Sequence, residues 1–228
     1  MRNDIEGVAF DLDGTLYPNY RLNIRLLPFF FKEIRLLAAF GNVRKIIRKE
    51  QENGILQHDN FYKHQAEITA RILNAPVELI KEKIDVLMYR GWEPLFKKIK
   101  LFKNVLETLA ALRGAGYKLG LLSDFPPEKK IEYLGLSGIW DAVYCSEYSG
   151  ALKPHPLSFI KLAEQMSLPP EKILYVGNSL TYDVVGALKA GMKTAWIRTF
   201  TLQICGKKGL KPDFSFSNYR QFFNYMLH

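Results

Sequence analysis

The sequence predicts an α/β fold, a parallel sheet whose first strand is separated from the others by a long helical insertion, and three observations carry that prediction. Short apolar runs bounded by turn residues recur along the chain. Helix-period segments alternate with them, as strand and helix do around a parallel sheet. From about residue 18 to residue 100 the alternation stops, and helical stretches follow one another. A chain of 228 residues, 48% of them hydrophobic, is long and apolar enough to bury such a core as one domain or two small ones.

The first run is Gly7-Val8-Ala9-Phe10, and it is followed by Leu119-Gly120-Leu121-Leu122, Ala142-Val143-Tyr144, Ile173-Leu174-Tyr175-Val176 and Thr194-Ala195-Trp196-Ile197. Apolar residues on successive positions suit strands covered on both faces. Helical periodicity is expected over 105–115, 129–134, 157–166 and 183–190. Within the insertion, helices are expected over 23–40, 43–52, 61–73 and 77–89, separated by Gly41, Gly54 and Asn74-Ala75-Pro76. The stretch 213–228 is expected to add an edge strand and a closing helix. In open sheets of this kind ligands bind beyond the carboxyl ends of the strands, so the residues just after each strand are the first candidates for chemistry.

Composition narrows the function classes. The net charge of +9 lies mostly between residues 21 and 100, where 16 basic residues face 9 acidic ones. Such a field suits an anionic partner. The segment Arg44-Lys45-Ile46-Ile47-Arg48-Lys49 is the strongest support for a protein that binds nucleic acid or an anionic membrane surface through it. A short basic helix face is ordinarily just solvated, however, so a nucleic-acid partner is not expected. Cys145 and Cys205 show no metal-ligand or disulfide pattern, which favours a reducing compartment, and His58, His64, His155 and His228 show no ligand spacing. Acids at Asp4 and Glu6 do not suit a signal peptide, and the apolar window Leu26-Leu27-Pro28-Phe29-Phe30-Phe31 meets Lys32, Glu33 and Arg35 far short of the roughly 20 apolar residues of a membrane span. A cytoplasmic protein without a membrane span is therefore expected.

Two carboxylates, Asp11 and Asp13, stand directly after the first strand in the loop Asp11-Leu12-Asp13-Gly14-Thr15. An isolated pair of loop acids is ordinarily solvated. Here, though, polar groups suited to a phosphate and a metal follow three other strands: Ser123-Asp124, then Lys153, then Gly177-Asn178-Ser179 with Asp183. Four such segments in order resemble the four motifs of the haloacid dehalogenase-like hydrolases, in the subgroup with a helical cap inserted after the first motif. They are Phe10-Asp11-Leu12-Asp13-Gly14-Thr15-Leu16-Tyr17, Leu121-Leu122-Ser123-Asp124, Glu147-Tyr148-Ser149-Gly150-Ala151-Leu152-Lys153-Pro154, and Val176-Gly177-Asn178-Ser179-Leu180-Thr181-Tyr182-Asp183. Any one motif is weak; the ordered set is specific.

The resemblance implies a Rossmann-like catalytic core built from residues 1–17 and 101–228, with a helical cap domain over 18–100. It implies a magnesium-dependent phosphatase acting on a small phosphorylated metabolite, with Asp11 as nucleophile and Asp13 as the acid and base. Ser123, Asp124 and Lys153 would receive the phosphate, with Ser123 and Lys153 assisting catalysis. Mg2+ would be held by Asp11, Asp13 through its main-chain carbonyl, Asn178 and Asp183. The residue types suit that chemistry, because a phosphomonoester dianion repels a carboxylate nucleophile unless cations and hydrogen-bond donors neutralise it. A hard cation with oxygen ligands fits magnesium. Asn178 stands where many family members have Asp, which lowers the site's negative charge and should weaken metal binding. Glu147 is expected either to orient Lys153 by pairing or to lie exposed. A phosphomutase of the same fold is the second enzymatic reading.

Overall fold

The computed structural model describes residues 4–56, 60–199 and 211–228, apart from the side chains of residues 28–32. His58 and Cys205 therefore lie outside the described residues. The five apolar runs become β1 (Gly7–Asp11), β2 (Lys118–Ser123), β3 (Ala142–Cys145), β4 (Ile173–Gly177) and β5 (Lys193–Ile197), and β6 (Phe214–Phe216) adds the edge strand. All six pair in parallel in the order β3-β2-β1-β4-β5-β6. The order reverses at β1 and β4, which is where doubly wound sheets open a crevice for ligands.

β1 is buried along its whole length. Its side chains alternate between the two faces. Val8 and Phe10 join Leu119, Leu121, Leu174 and Val176 in one cluster, under α4 (Val105–Gly114) and α8 (Tyr219–Leu227). Ala9 faces the other cluster with Leu122 and Tyr175, beneath α6 (Pro156–Met166) and α7 (Val185–Lys189). Each fully buried large side chain contributes roughly 1.5–3 kcal/mol. A one-residue slip of β1 would exchange its two faces and carry the acids at its end with it. A further short helix, α5 (Glu128–Tyr133), follows β2.

Between β1 and β2 run α1 (Asn19–Glu52), α2 (Phe61–Leu73), α3 (Val77–Ile84), a π-helical turn Asp85–Arg90 and a 3-10 turn Glu93–Lys98. They have a core of their own, formed by Leu36, Phe40, Ala66, Ala70, Ile80, Ile84 and Met88. A smaller cluster of Val43, Ile47, Phe61 and Ile68 takes in Leu152 from the loop after β3, so the insertion packs directly on the sheet's ligand edge.

Three expectations about helices are corrected. Gly41 does not divide the first two stretches: α1 runs through it, and the non-helical residue is Glu33 (φ −132°, ψ 36°). A helix-interior Gly costs about 1 kcal/mol relative to Ala, and burial of Phe40 and Val43 on either side outweighs that. The stretch expected over 77–89 leaves α geometry after Ile84, and that expected over 183–190 begins earlier, as a π turn over Leu180–Val184. Among the described residues no helix is long and apolar enough to cross a membrane.

Candidate active site

Asp11 ends β1 beside Leu122, and Phe10 lies beside Val176, so Ser123 and the Gly177-Asn178 pair reach the same edge of the sheet as the acidic loop. The loop turns through Gly14, whose φ of +88° is a conformation that side chains rarely adopt. A Cβ there would also collide with the Asn178 side-chain amide. The turn is closed by the Leu16 N–H donating to the Leu12 carbonyl at 3.1 Å. From behind, the Tyr219 hydroxyl of α8 donates to the Thr15 carbonyl at 2.8 Å.

Lys153 is the centre of the arrangement. Its Nζ donates to Asp11 Oδ1 at 2.6 Å and to Asp183 Oδ1 at 2.8 Å, and all three side chains are buried. Asp11 Oδ2 accepts the Thr15 hydroxyl at 2.7 Å, and Asn178 Oδ1 lies 3.4 Å from that same hydroxyl. Asp183 Oδ2 accepts the Ser179 N–H at 2.9 Å, and Trp196 Nε1 donates to the Asn178 carbonyl at 3.0 Å. Gly177 has no side chain because a Cβ there would strike Asp183.

One ammonium facing two buried carboxylates leaves excess negative charge. Burial, and then Asp183, push the Asp11 carboxyl up to about 7, and Lys153 only partly offsets them. Burial opposes the charge on Lys153, but Asp11 and Asp183 outweigh it and hold that amine well above its usual range. A hard divalent cation would relieve this imbalance. The donors present, two carboxylates and an amide oxygen, fit one that accepts oxygen ligands and keeps waters. Among the described residues no three His, Cys, Asp or Glu side chains gather, so such an ion would also need main-chain oxygen and water.

Asp13 is brought to the same edge but faces a different partner. Lys130 of α5 donates to both of its oxygens, at 2.7 and 3.0 Å, and the Tyr17 hydroxyl donates to Oδ1. Ser123 is fully buried at the end of β2, and its hydroxyl oxygen accepts the Phe125 N–H at 3.2 Å. Asp124 meets the backbone of Lys153: its Oδ1 accepts the Lys153 N–H at 3.1 Å. Burial alone would raise the Asp124 carboxyl, but Arg48, Lys153 and Arg44 bring it down to about 2.

The inserted helices supply residues that motif reading passed over. Arg48 of α1 donates through Nη2 to Asp124 Oδ2 and through Nε to the Lys153 carbonyl, both at 2.7 Å. Asp124 and Arg48 thus grip the Lys153 peptide from its two sides. Arg44, one turn earlier, pairs with Glu147, donates to the Asp124 carbonyl at 3.0 Å and stacks over Phe125 at 4.1 Å. Both expectations for Glu147 are therefore corrected: it is 2% exposed, and its partners are Arg44 and Tyr89, not Lys153. The basic segment is corrected too. Arg44 and Arg48 point into the interface with the sheet, which leaves Lys45 and Lys49 as its exposed cations.

A family profile described as haloacid dehalogenase-like hydrolase matches residues 5–191, a span that takes in every residue of this edge except Trp196 and Tyr219. The chain belongs to that family. Its curated relatives include phosphatases. A glyceraldehyde 3-phosphate phosphatase of Methanopyrus kandleri is 29% identical over 201 residues, covering 85% of this chain and 84% of the relative. A phosphoglycolate phosphatase of Escherichia coli O157:H7 is 28% identical over 207 residues, covering 82% and 79%. Solved structures of the family share the fold. A haloacid dehalogenase-like phosphatase of Thermococcus onnurineus superposes with a TM-score of 0.64 at 22% identity, over 98% of both chains. An L-2-haloacid dehalogenase of Xanthobacter autotrophicus gives 0.68 at 17% identity, over 97% of this chain and 98% of that one. This haloacid dehalogenase-like hydrolase thus shares its architecture with enzymes of two chemistries, and its named sequence relatives fall on the phosphatase side.

Proposed function

We propose that the chain is a magnesium-dependent phosphatase that hydrolyses a small phosphomonoester through an aspartyl-phosphate on Asp11. The observation that carries this reading is the buried Lys153 ammonium bridging Asp11 and Asp183 at the carboxyl edge of β1. Family membership and phosphatase relatives support phosphoric monoester hydrolysis. The second acid, Asp13, supports it over carbon–halogen cleavage, which has no alkoxide to protonate.

Asp11 attacks phosphorus, and the bond from phosphorus to the ester oxygen breaks. Asp13 gives its proton to the departing alkoxide, then takes one from the water that attacks the aspartyl-phosphate, releasing inorganic phosphate and restoring Asp11. Hydrogen bonds from Lys130 and Tyr17 fix the Asp13 carboxyl for both transfers. Lys153, the Ser123 hydroxyl and main-chain N–H groups near Asp13 and Asp124 receive the phosphoryl oxygens. Asp11, the Asp13 carbonyl, Asn178 and Asp183 would hold the magnesium ion, which when bound supplies positive charge to the transferring phosphoryl group. Residues 18–100 act as a cap domain on a core of 1–17 and 101–228, excluding bulk water and contacting the leaving group. The buried free thiol of Cys145 suits a reducing cytoplasm.

The test is inorganic phosphate release from a panel that includes glyceraldehyde 3-phosphate and phosphoglycolate, with Mg2+ and with chelator, beside Asp11→Asn. Magnesium-dependent release that disappears in a folded Asp11→Asn protein is expected. Release that survives in that variant would remove Asp11 as nucleophile.

A further inference from the structure

A cavity of about 300 Å3 opens beside Asp13, between the inserted helices and the sheet. Leu22 and Leu26 of α1, Met88 of the π turn, Phe96 of the 3-10 turn and Phe125 of the loop after β2 supply most of its wall. An apolar cavity of about 150 Å3 accommodates a benzene ring, so this one has room for a ring-sized body with a substituent.

The charge on the wall decides what that body can carry. Lys130 is the cation among the described lining residues, and both of its hydrogen bonds go to Asp13, with the rings of Phe96 and Phe125 each 5.2 Å from its Nζ. Glu93 lines the cavity as well, which adds an acidic side chain and no further cation to the wall. The arginines nearest the edge are committed elsewhere, Arg44 to Glu147 and Arg48 to Asp124. A carboxylate brought into the cavity would lose its hydration and meet like charge without a cation of its own. Asn19 and Asn23 offer neutral hydrogen bonds instead.

We infer that the leaving group is an uncharged alcohol with a compact apolar body, seated in this cavity with its reacting oxygen at Asp13. The inference rests on the phosphatase reading for the identity of the reaction and on the cavity for the class of alcohol. It separates this hydrolase from one that acts on phosphoglycolate, whose leaving group carries a carboxylate.

The experiment compares benzyl phosphate, phosphoglycolate and phosphocholine on the full chain with Mg2+, by kcat/KM, and on the Asp11→Asn variant, by calorimetric binding. Benzyl phosphate is expected to exceed each of the others at least tenfold in both measurements. Asn23→Lys, which sets a cation at an exposed lining position, is expected to narrow the gap to phosphoglycolate at least threefold. A preference for phosphoglycolate, or for phosphocholine, would overturn the uncharged class in favour of an anionic or a cationic one. Absence of phosphate release from every compound, with the binding preference intact, would sink the hydrolytic reading and leave the cavity's selectivity standing.

Discussion

Asp11 illustrates how a single carboxylate can be costly to the fold and valuable to the site. Its pKa stands at about 7 in the fold against 3.8 in an unfolded chain. The native state therefore binds more protons between those values, and the stability of metal-free protein falls as pH rises from about 4 through about 7. Asp11→Asn removes that dependence. In chelator at pH 8 the variant is expected to melt higher than the wild type, by about 2–4 °C for each kcal/mol relieved, with the difference vanishing near pH 4; thermal scans across pH check it. An equal or lower melting temperature at pH 8 would mean that the charge imbalance is already satisfied. Asn178→Asp adds a carboxylate beside the same charges. It is expected to tighten Mg2+ binding several-fold in a calorimetric titration, since ligand charge sets affinity for hard cations; unchanged affinity would argue against Asn178 as a ligand.

Between elements, the ion pairs linking α1 to the loops of the sheet separate structure from chemistry. Arg44→Met leaves Glu147 buried beside neutral hydroxyls, those of Tyr89 and Tyr62, in place of a cation. A loss of about 3–5 kcal/mol is expected, on the order of 10 °C in Tm. Arg44→Met with Glu147→Leu should recover most of it in denaturant titration, because removing both charges removes the unpaired one. Arg48→Met should act differently. By releasing the grip on the Lys153 peptide, it is expected to lower kcat by about 10- to 100-fold while KM changes little, because small displacements of a reacting group are costly. Arg48→Lys should not restore the rate, since one ammonium cannot reproduce the two-armed contact with the Lys153 carbonyl and Asp124. These roles were illegible in the sequence for a physical reason. Arg48 lies 76 residues from Asp124, Arg44 lies 103 from Glu147, and Lys130 lies 117 from Asp13, so nothing local links the partners. The strand ends were legible because each apolar run announces its own length and direction, and the polar residues after it are local to it.

Across the whole molecule, two kinds of packing coexist. β1, β2 and β4 lie inside a sheet covered on both faces, whereas α2 and α3 rest on the insertion's own small core. In native-state hydrogen exchange the amides of β1 and β4 are expected to open only with global unfolding, and those of α2 and α3 at lower free energy; equal protection throughout would mean that the insertion and the sheet unfold as one unit. The sheet order was readable only as far as parallel strands. Which strand sits centrally depends on crossovers that no single run encodes. The hydrogen bond from Tyr219 to the loop of Asp11 spans 204 residues, and it bears on how the protein is made. β1 leaves the ribosome first, yet both its neighbours and the hydroxyl that braces its loop are translated much later. A nascent chain therefore carries Asp11 without the strands that flank it until β2 and β4 have followed, and its loop is braced from behind only once α8 has emerged and docked.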